Sequence, residues 1–392
     1  MNNKPKVAIV TPGSFPIPSP SSSSVETVVY TIANNLKNNI DFTILGKKSK
    51  ELPYQEQSND ISFIRFRFKN WKTYINKVIN HLITLNPHII QIENRPKYIP
   101  YLKEHFQDTP LILSLHSTNF ISRSRISNEQ LRHCINLCTK IIVNSQFLKN
   151  HLIDKTGCAE DKVFVNHLGV DVNQFKSKWN IKDKAMEEDT IRQSLGIKDQ
   201  HVLLYVGRLR KMKGVHKLLE AFPYIIESNP NTILIIAGSA FYGTNRITGY
   251  VQKLTEKAKQ FPDQIKFIPF IPHDEIHRWF KIADIVLVPS ITKEAFGLVN
   301  VEAMATGVPV IATRIGGMPE IIQHGETGFL ADKFNMEIEL AAYVNQLLSD
   351  PIKINKMGEN SIKRVHEHFT WEKCASRLNH LYKEINCTFE IK

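Results

Sequence analysis

Two acids and two cations in the second half of the chain have the types and spacing for phosphate chemistry. Glu294 and Glu302 bracket the run Ala295-Phe296-Gly297-Leu298-Val299-Asn300-Val301. The apolar run Ile285–Pro289 reads as a strand, and a helix is expected to begin near Val299 or Asn300. Glu294 then lies in the connecting loop and Glu302 on the first helical turn. The N–H groups of Gly297, Leu298 and Val299 point out of such a helix start. They form an anion site in which each charge-assisted hydrogen bond contributes ~1.5–3 kcal/mol. A carboxylate on each side suits a ligand whose hydroxyls flank a phosphate. Taken alone, Glu302 reads as a charge that complements the helix dipole. It is not alone. Gly207-Arg208-Leu209-Arg210-Lys211-Met212-Lys213-Gly214 follows the apolar run Val202–Val206 and opens another helix. Arg208 offers a rigid guanidinium fork and Lys213 a mobile point charge, both suited to a pyrophosphate. The glycine spacing is not that of a Walker A loop, and no Ser or Thr follows a Lys there.

These residues need elements to position them. Short apolar runs alternate with amphipathic stretches from end to end. In the first half, Val7–Thr11, Phe42–Leu45, His88–Ile92, Leu111–His116, Ile141–Asn144 and Val163–Val165 read as strands. Ile61–Phe68 alternates in polarity and reads as a half-exposed edge strand. Helices are expected between them, among them Val25–Leu36, Lys72–Leu85 and Gln146–Lys155. The rhythm breaks over Asp171–Asp199, which is rich in charge and reads as an exposed connection. It then restarts at Val202–Val206. Strands alternating with helices mean parallel sheets covered on both faces. The expected fold is therefore α/β, with two doubly wound, Rossmann-like domains. Their boundaries are expected at 1–175 and 200–370, with a charged linker over 176–199 and a last helix over 371–392. Ligands of such sheets bind beyond the carboxyl ends of the strands, so a cleft between the two domains is the default site.

Composition narrows the class. A chain of 392 residues is too long for one core, since single cores stop growing near ~250–300 residues. It is 42% hydrophobic and 22% charged, which excludes a disordered or fibrous chain. No apolar run reaches the ~18 residues of a membrane span. Val7–Val10 is too short for a signal-peptide core and reads as the first buried strand of a cytoplasmic protein. Five cysteines at scattered spacing exclude a zinc site or a disulfide framework and fit reduced thiols. The net charge of +12 is uneven: residues 1–170 hold 21 Lys and Arg against 12 acids. Such an excess can attract an anionic surface or polymer, but no nucleic-acid-binding signature accompanies it.

The motifs resemble a known family. Gly207-Arg208-Leu209 with Lys213-Gly214, the run from Glu294 to Ala312, Gly316-Gly317-Met318-Pro319-Glu320 and Gly325-Glu326-Thr327-Gly328 resemble the retaining GT-B glycosyltransferases of family 4. Asn144-Ser145-Gln146-Phe147, Gly169-Val170-Asp171 and Phe369-Thr370-Trp371 resemble the family's domain-end pieces. The serine-rich entry and Ser239-Ala240-Phe241-Tyr242-Gly243 resemble its spore-coat polysaccharide members. The resemblance implies the GT-B architecture, with the domains facing across a cleft and the last helix crossing back to the first domain. It implies catalytic roles for His116, Glu294, Arg208 and Lys213. His116 and Glu294 would meet the donor sugar, and Arg208 and Lys213 the diphosphate. It implies donor binding by Gly207, Gly238, Phe270, Ile271, Phe296, Gly297, Leu298, Val299 and Glu302. Glu302 would hold the ribose hydroxyls.

The sequence departs from the pattern at Ser23 and Ser24, which stand on the acceptor-side loop where the family carries a Gly-Gly pair. It departs again at Pro269, where a glycine is usual. The activity implied is retaining transfer of a hexosyl unit from a nucleotide-sugar to a glycan or lipid-linked acceptor, in polysaccharide, glycolipid or spore-coat glycan synthesis. No cofactor is implied and no metal, and no Asp-x-Asp occurs. The alternatives are a nucleotide-sugar epimerase on the same fold, or a non-catalytic sugar-nucleotide-binding coat protein. A nicotinamide oxidoreductase is disfavoured because no G-x-G-x-x-G follows a strand. The basic first domain adds the expectation of an anionic or membrane-borne acceptor, peripheral to the membrane or at the spore coat. Trp71, Tyr74 and Lys77 offer one candidate membrane contact.

Overall fold

A computed structural model describes residues 4–19, 23–179, 185–241, 247–292 and 294–390. Pro20, Ser21 and Ser22 of the serine-rich loop, residues 180–184 of the expected linker, and Tyr242 and Gly243 lie outside the described residues. The chain divides into two compact units. The first comprises Met1–Leu168 and Trp371–Lys392, and the second Gly169–Thr370.

The first unit holds an eight-stranded sheet. Its strands are β1 (Lys6–Val10), β2 (Asp41–Lys47), β3 (Gln55–Ser58), β4 (Ile61–Phe66), β5 (Ile89–Glu93), β6 (Leu111–Leu115), β7 (Lys140–Val143) and β8 (Val163–Val165). Their order is β3-β4-β2-β1-β5-β6-β7-β8, and all neighbours are parallel except β3 and β4. β5 and β6 are buried along their whole length, as strands covered on both faces must be. The expected edge position of Ile61–Phe68 is corrected: β4 lies inside the sheet, between β2 and β3. The edge is β3, a polar Gln-Glu-Gln-Ser strand joined to β4 through Asn59 and Asp60, both at positive φ. Two such residues are what a tight hairpin turn with the right twist requires.

The helix Trp71–Leu85 begins at an Asn70–Thr73 capping box and ends at Asn86 in the left-handed conformation. Its apolar positions Tyr74, Ile75, Val78, Ile79 and Leu82 recur at helical spacing and are buried. Tyr74 is fully buried, with its phenol donating to the carbonyls of Thr11 and Leu45. The expected membrane contact through Tyr74 is therefore corrected: the ring is core, whereas Trp71 is half-buried and Lys77 is exposed. The last helix, Trp371–Glu390, covers the helix Ser24–Leu36 and buries Cys374, Leu378, Leu381, Tyr382 and Ile385. Asn166 and Arg377 pin it, Asn166 Nδ2 donating to the Cys374 carbonyl at 3.2 Å and Arg377 Nε to Asn166 Oδ1 at 2.9 Å.

The second unit holds a six-stranded, wholly parallel sheet in the order β11-β10-β9-β12-β13-β14. The strands are β9 (His201–Val206), β10 (Thr232–Ala237), β11 (Ile265–Ile268), β12 (Ile285–Val288), β13 (Val310–Thr313) and β14 (Gly328–Ala331). The helices Val215–Ser228 and Met336–Leu348 pack together on one face of the core. The segment expected as an exposed linker belongs to this unit. Lys178 is buried, and its ammonium donates to the Ala283 carbonyl at 2.6 Å. Residues 185–194 form a helix that packs near Ile276–Ile282. Its charge density hid this, because Arg192 and Lys178 bind backbone carbonyls rather than water. The five cysteines are free. Burial pushes the thiol of Cys134 up to about 11 and that of Cys374 up to about 12, so both stay protonated and inert.

Candidate functional site

In the second unit the strand order reverses between β9 and β12, and there the residues of the two sequence motifs meet. The loop after β9 ends at Gly214, whose φ is +74°. A Cβ there would stand 1.7 Å from the Pro289 carbonyl oxygen, so only glycine lets this loop lie against the one after β12. The Ile291 N–H donates to the Met212 carbonyl at 3.0 Å and ties the loops together. The consequence is at the side chains: Lys213 Nζ donates to Glu294 Oε2, with both residues about three-quarters buried (23% and 25% exposed). Ser290 Oγ reaches the same carboxylate oxygen at 3.5 Å. The loop after β13 holds Glu294 from the other side. Gly317 N–H donates to the Glu294 carbonyl at 2.9 Å. Gly316, at φ +59°, lies so close that a Cβ would be 1.9 Å from that oxygen.

The helix Leu298–Ala305 starts four residues after Glu294, with Gly297 as its N-cap. No side chain caps it, so the first N–H groups remain available to an anion. Glu302 is 7% exposed, and its Oε1 meets His273 Nε2 at 2.9 Å. The hydrogen bond to Glu302 holds the imidazole of His273 above its ordinary range, with partial burial opposing. His273 was not among the expected site residues. It follows β11 after the run Pro269-Phe270-Ile271-Pro272, and nothing in its spacing marks it.

The remaining candidates of this unit fall on the same sheet edge. Gly207 and Arg208 follow β9, and Arg208 is half-buried. Gly238 follows β10 and donates to the Ile268 carbonyl at 3.0 Å, which ties it to the end of β11. Phe270 is half-buried and Ile271 buried in the loop after β11. Phe296 is buried with its ring edge-on to Phe369 at 6.0 Å, a packing position rather than an open one. Among the described residues no three His, Cys, Asp or Glu side chains gather as metal ligands would.

In the first unit, His116 follows β6 and is held at three points. Its Nε2 meets Glu93 Oε2 at 2.8 Å and Ser114 Oγ at 3.1 Å, and its N–H donates to Asn94 Oδ1 at 2.8 Å. A hydrogen-bonded chain stands behind it. Gln91 Nε2 donates to Glu93 Oε1 at 2.6 Å, and the Tyr382 phenol donates to Gln91 Oε1 at 2.7 Å. A cavity lined by Glu93, Ser114, His116, Asn144 and Asn166 adjoins this network. Ser23 is the N-cap of the helix Ser24–Leu36, and its hydroxyl donates to Glu26. Burial pushes the Glu26 carboxyl above its ordinary value. The Ser23 side chain thus has a partner that a glycine would not supply, while Ser24 is exposed.

Comparison with known proteins accounts for both units. Residues 25–174 match the family described as Glycosyltransferase Family 4, and residues 187–364 the family described as Glycosyl transferases group 1. The chain is 29% identical over 380 residues to the putative glycosyltransferase YtcC of Bacillus subtilis strain 168, covering 97% of this chain and 92% of that protein. It is 27% identical over 379 residues to spore coat protein SA of the same organism, covering 97% and 99%. Among solved structures, Anabaena Alr3699/HepE in complex with UDP matches with a TM-score of 0.79 at 23% identity, over 97% of this chain and 100% of that one. No described helix is long and apolar enough to cross a membrane. Two parallel-sheet units, the residues gathered at the β9/β12 reversal and the matches over both halves lead to one conclusion: the chain belongs to the group 1 and family 4 glycosyltransferases and has the GT-B fold.

Proposed function

We propose that this glycosyltransferase takes a sugar from a nucleotide-sugar donor held by residues 200–370, retains its anomeric configuration, and needs no divalent metal. The observation that carries this is the contact of Lys213 with Glu294 at the β9/β12 reversal, beside the uncapped start of the helix Leu298–Ala305. A diphosphate arriving there draws the Lys213 ammonium and the helix N–H groups, and Arg208 adds a second cation. Glu294 is then released toward the sugar hydroxyls, and Glu302 toward the ribose hydroxyls. The bond from the anomeric carbon to the β-phosphate oxygen breaks. The acceptor oxygen bonds to the same face of that carbon, and its proton passes to the departing phosphate. Negative charge grows on the phosphate as the bond breaks, so fixed cations there stabilise the transition state more than the ground state. These cations do the work a metal does elsewhere.

The reading assigns His116 to the donor sugar and Glu93 to orienting its ring. It assigns Phe270, Ile271, Gly207, Gly238, Gly297, Leu298 and Val299 to donor binding. It assigns the first unit, with Ser23 and Ser24, to a glycan or lipid-linked acceptor. The structure of the Anabaena protein with UDP-glucose supports a nucleotide-sugar donor, and the name of the relative spore coat protein SA is compatible with a spore-coat glycan product. The first test is a screen of UDP-, GDP- and ADP-sugars for stabilisation on heating, where a ligand at 100 times its Kd adds ~2.7 kcal/mol. One nucleotide class should stabilise the protein, and its turnover should be the same in EDTA. No stabilisation by any of them refutes the donor assignment. Activity lost in EDTA and restored by Mn²⁺ refutes metal independence.

A further inference from the structure

The sheet of the first unit also reverses its order, between β1 and β5, and the crevice at such a reversal is where open α/β sheets bind ligands. Arg95 stands there, at the meeting of three loops. Its guanidinium donates to Ser14 Oγ after β1 at 3.1 Å and to the Asn94 carbonyl after β5 at 3.1 Å. It lies 4.5 Å above the ring of Phe120, which follows β6. Lys47, at the end of β2, donates to the Ser14 carbonyl at 3.2 Å. Arg125 lies close enough to oppose the Arg95 charge. None of these cations forms an ion pair with a carboxylate among the described residues, and Glu26 acts on Arg95 only through space. A half-buried cation next to a like charge is costly unless an anion completes it.

Charge is also distributed unequally between the two edges of this sheet. The loops leaving the carboxyl ends of β1, β2, β4, β5 and β6 (residues 11–23, 48–54, 67–70, 94–95 and 116–127) hold seven Lys and Arg against one Glu. The loops at the opposite edge (4–5, 37–40, 59–60, 86–88, 106–110, 138–139 and 157–162) hold three Lys against four acids. A basic surface serving solubility alone has no reason to favour the ligand edge.

We propose that the carboxyl edge of the first unit binds an acceptor through a phosphate ester that the acceptor carries, with the Arg95 guanidinium as its anchor and Lys47 and Arg125 beside it. A guanidinium has five N–H groups, and Arg95 commits them to Ser14, Asn94 and the Tyr98 phenol, which leaves two for a planar fork on two phosphate oxygens. This rests on the donor being held by the second unit, and the test separates the two ideas.

Inorganic pyrophosphate is titrated by calorimetry into the full-length protein with UDP at saturation, in wild type, Arg95→Gln, Arg95→Lys and Lys37→Gln. Wild type should bind it with an affinity that falls as salt rises. Arg95→Gln should weaken binding about tenfold or more, the loss of a charge-assisted pair, with Arg95→Lys intermediate. Lys37→Gln, at the opposite edge, should stay within about twofold of wild type, as a distant screened charge does. UDP affinity should be equal in all four. An Arg95→Gln protein that melts as wild type and binds pyrophosphate equally well overturns the proposal. An equal loss in Lys37→Gln overturns it too, since that marks a diffuse surface. Failure of UDP to bind the wild type contradicts the donor reading instead, and the Arg95 comparison is then made without UDP. Phosphatidylcholine vesicles containing phosphatidic acid identify the source. Co-sedimentation that Arg95→Gln abolishes means a lipid-borne phosphate, and pyrophosphate binding without co-sedimentation means a soluble one.

Discussion

His273 and Glu302 show how one hydrogen bond ties donor binding to pH. The Glu302 carboxylate raises the His273 pKa above its ordinary 6.5, so the pair is strongest while the imidazole is charged. A nucleotide whose ribose takes Glu302 breaks the pair and lowers that pKa, which releases a proton. Nucleotide affinity should therefore increase as pH rises from about 6.5 through the raised value. The titration of the phosphate itself is common to wild type and His273→Gln, so the difference between their pH dependences isolates the imidazole. Identical dependences in calorimetry across pH 6–8.5 would show that Glu302 never leaves His273. At His116 the relevant charge is Glu93. An amide in place of the carboxylate exchanges a charge-assisted bond of ~1.5–3 kcal/mol for a neutral one of ~0.5–1.5 kcal/mol, so Glu93→Gln should lower kcat about tenfold with donor KM little changed. Tyr382→Phe, at the far end of the chain through Gln91, removes a neutral bond of ~0.5–1.5 kcal/mol and should cost less. Wild-type turnover in Glu93→Gln would contradict a role for this ring in the reaction.

At the scale of elements, the site exists because loops approach more closely than a side chain permits. Gly214 and Gly157 both have positive φ, near +70°. A Cβ at Gly157 meets nothing within 4 Å, whereas one at Gly214 collides with Pro289. Gly157→Ala should thus cost ~1–2 kcal/mol of backbone strain alone. Gly214→Ala should cost clearly more and abolish activity, because the loop that carries Lys213 must lift off the one that carries Glu294. Equal denaturation midpoints for the two variants would show that the contact yields freely. This also explains what was legible in the sequence. The motif around Glu294 and the loop from Gly207 to Gly214 could be read because helix starts, glycines and charges announce themselves locally. Most strands could be read because parallel strands are continuous apolar runs. β3 escaped because its residues are polar, and the helix 185–194 because its Arg192 binds backbone carbonyls, that of Ile282 among them. His273, Glu93 and the chain to Tyr382 were invisible, since each acquires its partner only through contacts distant in sequence.

Across the whole molecule, the chain leaves its first unit after Leu168 and returns to it at Trp371. Leu378, Leu381, Tyr382 and Ile385 are at most 3% exposed, and each contributes ~1.5–3 kcal/mol by burial. Their sum approaches the 5–15 kcal/mol total stability typical of a domain. A chain ending at residue 370 should therefore lose the cooperative unfolding of the first unit. A fragment of residues 169–370, which has its own core, should unfold cooperatively by circular dichroism. An unchanged first unit after the deletion would show that the last helix is dispensable. Transfer needs the diphosphate gripped while the sugar leaves. The most direct test is the rate of nucleoside diphosphate release from the stabilising nucleotide-sugar, in wild type and Lys213→Gln of equal melting temperature. Loss of one preorganised donor at the developing charge predicts a fall of ~10²–10³-fold in kcat; a variant within a few-fold of wild type would contradict the account.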